Sequence, residues 1–104
     1  MFDNNSTKGI QLSYSTPSTW ATPSVPLSFF KFADVEVQLT GTITTAYTPY
    51  RSLDGVNFVP CNAADKDGAF LTSISNAGIY SLPGSGWLYF PAGAGATITV
   101  RASV

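Results

Sequence analysis

VEVQLTGTITTAYTPYRSLDGVNFVP, residues 35–60, holds the clearest strand alternation and the clearest turn in the chain. Val35, Val37 and Leu39 alternate with Glu36 and Gln38, the pattern of a strand with one dry and one wet face. Gly41 marks a turn, and Thr42 to Arg51 reads as a second strand with Ile43, Thr45 and Tyr47 on one side and Thr44, Ala46, Thr48 and Tyr50 on the other. Pro49 places that strand at an edge or a bulge, because it has no N–H to give to a ladder. The run Ser52-Leu53-Asp54-Gly55-Val56-Asn57-Phe58 is a turn signal: the Asp54 carboxylate accepts backbone donors while Gly55 takes positive φ. Val56 to Cys61 then forms the return strand, broken at Pro60. The stretch is a scaffold hairpin.

Upstream, residues 1–26 are rich in Ser, Thr, Asn and Pro and read as an extended N-terminal arm. Ile10, Leu12 and Tyr14 alternate with Gln11 and Ser13, a short strand suited to adding onto a sheet edge. Pro17, Pro23 and Pro26 forbid a helix. Trp20 is the arm's natural anchor, since a large ring in a polar segment must be buried somewhere, either on its own domain or on a neighbouring subunit. Leu27 to Ala33 reads as a strand with Phe30 and Phe32 on one face, whereas Val35, Val37 and Leu39 have the opposite parity. A bend near Ala33-Asp34 resolves this and carries the chain from one sheet to another.

Downstream, the polar loop Asn62 to Gly68 precedes four short strands at 69–74, 79–82, 87–90 and 96–102, separated by Gly, Pro, Ser and Asn turns. Trp87-Leu88-Tyr89-Phe90 is apolar on both faces, so this strand is either covered twice or turned toward a subunit interface. The expected fold is all-β: a single antiparallel β-sandwich of jelly-roll type with about eight short strands. Residues 27–104 form the sandwich and residues 1–26 the arm.

Composition adds the functional clue. The chain has 104 residues, enough for one domain with its own core. Charged residues make up 11%, against roughly 25% in ordinary soluble domains, and residues 68–100 carry none. Either the neutral surface is covered by other subunits in the working state, or Ser and Thr solvate an extracellular domain. A net charge of −1 with no basic cluster leaves no electrostatic footprint for nucleic acid. Gly, Pro, Ser and Asn interrupt the charge-free region too often for a membrane helix. The N-terminus lacks the basic start and apolar run of a secretory signal, so synthesis in the cytoplasm is expected.

Catalytic chemistry is scarce. There is no histidine, which removes the usual general base and the Ser-His and Cys-His pairs. Lone Cys61 permits no internal disulfide and fits a small buried hydrophobe. Asp65-Lys66-Asp67-Gly68 resembles a fragment of a calcium loop but reads more simply as a solvated turn. No catalytic, cofactor or metal site is expected. For a sugar, Tyr47, Tyr50 and Trp20 are candidate stacking rings, beside Asp54 and Asn57 as hydrogen-bonding groups.

Ser52-Leu53-Asp54-Gly55-Val56-Asn57-Phe58 resembles the S-x-D-G-x-x-W/F turn of discoidin-like, galactose-binding jelly rolls. Across residues 35–103 a V-x-V-x-L-x-G-T-I-T pair, the S-x-D-G hairpin, N-A-G-I-Y, W-L-Y-F and a closing A-T-I-T-V-R-A-S strand resemble the small β-sandwich virion proteins of tailed bacteriophages, decoration or cement proteins and head- or tail-fibre modules. That resemblance implies a non-enzymatic virion protein, a homo-oligomer and often a trimer, bound to the major capsid protein or another virion protein. The interface expected from the residues comprises Ile10, Leu12, Tyr14 and Trp20 from the arm, and Trp87 and Tyr89 from the charge-free half. A carbohydrate-binding or fibre module is the alternative.

Overall fold

The computed structural model describes residues 16–104. Among them there is no helix; ten strands form two sheets in which every pairing is antiparallel. The strands are β1 (Ser18–Thr19), β2 (Leu27–Ser28), β3 (Asp34–Thr45), β4 (Tyr50–Ser52), β5 (Val59–Pro60), β6 (Ala63–Ala64), β7 (Phe70–Leu71), β8 (Gly78–Pro83), β9 (Trp87–Tyr89) and β10 (Ala94–Ser103). The larger sheet runs β1-β10-β3-β8-β6-β7 and the smaller β2-β9-β4-β5.

The spine is the first half of the quoted stretch. Val35, Val37 and Leu39 of β3 stand opposite Ala102, Val100 and Ile98 of β10, and Val35 and Val37 also face Leu82 and Tyr80 of β8. All are buried, each of the larger aliphatic side chains contributing about 1.5–3 kcal/mol. Leu88 of β9, with Phe29 and Phe90 flanking the smaller sheet, closes the core from the other side. The alternate residues Glu36, Gln38, Thr99 and Arg101 form a wet outer face, where Glu36 and Arg101 make a cross-strand ion pair.

Gly41 does not turn the chain. β3 continues through it to Thr45 by bulging: between the Gly41–Ala96 and Thr45–Ala94 pairs, Thr42, Ile43 and Thr44 stand opposite Gly95 alone. Gly95 has φ +103°, and a Cβ there would stand 2.1 Å from the Thr42 carbonyl oxygen. Only glycine fits. The strand expected over 42–51 is therefore divided: Thr42–Thr45 completes β3, and β4 belongs to the other sheet. Pro49 lies in the crossing segment, where its carbonyl accepts the Cys61 N–H at 2.9 Å.

The corner expected near Ala33-Asp34 is present, but it comes earlier and is tighter. β2 ends at Ser28, and a turn closed by Phe32 N–H to Phe29 C=O (3.0 Å) leads into β3. This turn buries Phe29 and leaves Phe30 exposed, the reverse of what a straight strand over 27–33 requires. Arg51 fastens the corner by donating from Nη2 to the Gly84 carbonyl at 2.8 Å and from Nε to the same oxygen at 3.1 Å.

Residues 18–26, whose prolines place them in the arm by sequence, are built into the sheets. Ser18 and Thr19 pair with Val100 and Thr99, the Trp20 N–H donates to Ile98 C=O at 2.8 Å, and the Phe90 N–H donates to Pro23 C=O at 2.8 Å. Trp20 is 4% exposed, its ring 5.3 Å from that of Phe90 and 6.0 Å from that of Phe29. Its core position leaves it no surface to offer a neighbour.

Candidate functional site

The outer face of the smaller sheet differs from that of the larger one. β9 is central, so Leu88 points into the core while Trp87 and Tyr89 point out. Register sets Tyr50 beside Tyr89 and Ser52 beside Trp87. The ring centroids of Tyr50 and Tyr89 lie 6.0 Å apart, Phe58 packs edge-on against Tyr89 at 4.8 Å, and Phe30 does the same against Trp87 at 6.0 Å. Five half-buried or exposed aromatic rings thus cover a face that, among the described residues, faces no other strand layer.

The 53–58 turn folds over one end of this face. Gly55, at φ +77°, lies so close to the Trp87 indole that a Cβ would stand 3.1 Å from Nε1. The turn is held by Asp54. Its Oδ1 accepts from Val56 N and Asn57 N at 2.8 Å each and from the Ser52 hydroxyl at 2.8 Å, and its Oδ2 accepts from Asn57 Nδ2 at 2.9 Å. These donors, the Asn57 backbone first, hold the Asp54 carboxyl well below the usual carboxylate range. The same turn leaves Leu53 and Val56 exposed.

The sugar candidates are not brought together. Tyr47 is 3% exposed; its hydroxyl accepts from Ala96 N–H at 3.1 Å, and its ring packs on Phe90, so it has no open face for stacking. Asp54 and Asn57 bind one another and line a shallow depression of about 310 Å3 with Arg51, Ser52, Leu53 and Val59. Arg51 and Val59 pair across the ribbon, one residue out of phase with Tyr50 and Pro60. The depression therefore takes in the ribbon face opposite Tyr50, and no aromatic ring lines it.

Trp87 and Tyr89 do share one face, joined by Tyr50. Ile10, Leu12 and Tyr14 lie outside the described residues. Phe30 and Phe58 complete the face, with Leu53 and Val56 on the turn at its end; none of the four was a candidate. Phe58 carried a signal, being the aromatic of the hairpin motif; Phe30 was hidden by the tight corner that reverses its parity.

The other chemical candidates resolve into structure. Asp65 caps its own loop, its Oδ1 accepting from Asp67 N and Ala69 N at 2.9 Å each. Among the described residues no three His, Cys, Asp or Glu side chains gather as metal ligands. Burial pushes the Cys61 thiol up to about 11, with Arg51 pulling weakly the other way, so the thiol is protonated and a poor nucleophile at neutral pH. Comparison with protein-family models, curated proteins and solved structures finds no match.

Proposed function

We propose that this protein is a non-enzymatic structural component of a virion, a capsid decoration or cement protein of jelly-roll type that works as a homo-oligomer on the particle surface. The observation that carries this reading is the contrast between its two outer faces. The larger sheet presents Glu36, Gln38, Thr99 and Arg101 to water, while the smaller presents Tyr50, Trp87 and Tyr89 with Phe30 and Phe58 packed on them. An aromatic, charge-poor face is what interface cores are made of. The side chains with chemical potential support a structural role: Asp54 and Asp65 are committed to turns, and Cys61 is held neutral. The partner on the particle is the major capsid protein or another virion protein.

The test is copurification. Tagged protein expressed during particle assembly should band with the particles in a density gradient, at a fixed ratio to the major capsid protein. Recovery only from the soluble fraction, whatever its oligomeric state, overturns the virion assignment.

A further inference from the structure

We infer that the outer face of the smaller sheet is the contact between copies of this chain, packed face against face. This rests on the proposed homo-oligomer and names the surface that makes it.

Three features favour a second copy as the occupant. The first is charge. Among the described residues Lys31 follows Phe30 at the rim of the face and Arg51 and Asp54 flank its turn end; the Arg51 guanidinium is turned to the Gly84 and Ser85 carbonyls, and the Asp54 carboxylate is surrounded by four donors of its own turn. A neutral face is its own complement. Two copies meet through its aromatic centre without placing like charges opposite, whereas a highly charged partner finds no matching charges there.

The second feature is size. Phe30 on the face, and Leu53 and Val56 on the turn at its end, are 46%, 67% and 78% exposed, together on the order of 350 Å2, the scale at which an apolar patch marks an interaction site. The half-buried rings of Tyr50, Phe58, Trp87 and Tyr89 add to this, toward the ~800 Å2 per partner of a standard interface.

The third is the state of the sheet edges. Among the described residues β2 and β5 are the edge strands of the smaller sheet; Pro26 immediately precedes β2 and Pro60 lies within β5. Proline gives no ladder hydrogen bond, so it blunts strand addition at both edges and leaves the face as the open surface. A saccharide is the less fitting occupant, because the turn's polar groups are spent on one another and their depression lies across the ribbon from Tyr50.

The experiment compares solution mass by light scattering for the full chain, a Leu53→Lys/Val56→Lys double variant, and Phe70→Lys. Leu53 and Val56 are exposed beside the face. Phe70 is equally exposed, 76%, on β7 at the edge of the other sheet. The expected result is a multiple of 11.0 kDa for the parent and for Phe70→Lys, and at least a tenfold weaker association for the double variant with an unchanged β circular-dichroism spectrum. A monomeric parent, or a double variant that associates as tightly as the parent, overturns the inference. So does dissociation caused by Phe70→Lys alone. Self-association through this face by a protein that never bands with particles sustains the contact and defeats only the virion role.

Discussion

Truncating Trp20 to alanine tests whether the segment before Pro26 belongs to the folded core. The indole is 4% exposed and packs against Phe29 and Phe90, so removing it forfeits burial and leaves a cavity, together about 3–5 kcal/mol. For a domain whose total stability is about 5–15 kcal/mol, that loss lowers Tm by on the order of 15–25 °C. Trp20→Phe should behave differently. Among the described residues the buried indole Nε1 has no hydrogen-bond partner, a penalty of about 1–3 kcal/mol that phenylalanine removes. This offsets much of the lost ring area, and the net change should stay within about 1 kcal/mol.

Urea unfolding followed by far-ultraviolet circular dichroism reads both variants, with the denaturant slope checked for constancy. Tryptophan emission gives a second probe. With two tryptophans in the chain, Trp20→Phe isolates Trp87, and the difference from the parent spectrum should be the blue-shifted emission of a buried indole. A Trp20→Ala variant within 1 kcal/mol of the parent refutes the placement of this segment in the core. Equal losses for alanine and phenylalanine refute the reading of the unpaired indole nitrogen.

Gly95→Ala should cost about 2 kcal/mol or more, because φ +103° and a backbone oxygen 2.1 Å from the new Cβ leave no relief. At Gly68, φ +80° with nothing within 4 Å, alanine should cost only about 1–2 kcal/mol; thermal melts of the pair separate clash from conformational cost. The Asp54 carboxyl is lowered in the folded state, so its contribution is complete above the ordinary carboxylate range near pH 4 and fades as pH falls below that range. Asp54→Asn should flatten this acid-side slope in urea midpoints measured from pH 2 to 7, and an unchanged slope contradicts the turn assignment. The Cys61 thiol, at about 11, should react with a disulfide reagent at pH 8 roughly a hundredfold more slowly than a free cysteine and regain speed in denaturant. Native reactivity equal to that of a free thiol contradicts its burial.

The parts of the fold readable in the sequence are those governed by local rules. Val35, Val37 and Leu39 announced a half-buried strand, and Ser52-Leu53-Asp54-Gly55 announced a turn whose bonds match its chemistry. Gly41 misled because its positive φ opens a bulge in β3, whose Thr42, Ile43 and Thr44 stand opposite the distant Gly95 alone. The one-residue change of phase at the Phe29–Phe32 turn swapped which phenylalanine is core, and no periodicity of 27–33 records it. At the candidate site, Trp87 and Tyr89 were legible from a strand apolar on both faces. Their junction with Tyr50 and Phe58 depends on β9 lying between β2 and β4, a pairing of distant segments that no local pattern encodes. Tyr47 and Tyr50, three residues apart, were separated by the crossing from one sheet to the other.

The contact between copies is tested most directly at Trp87, whose indole lies on the outer face under Gly55. In the Trp20→Phe background Trp87 is the sole tryptophan, and its acrylamide quenching can be compared with and without the Leu53→Lys/Val56→Lys changes at the same concentration. If this face joins copies of the chain, quenching is weak in the associated protein and rises severalfold in the double variant. Equal quenching in the two, with Trp87 as open to acrylamide in the parent as in the variant, contradicts the account.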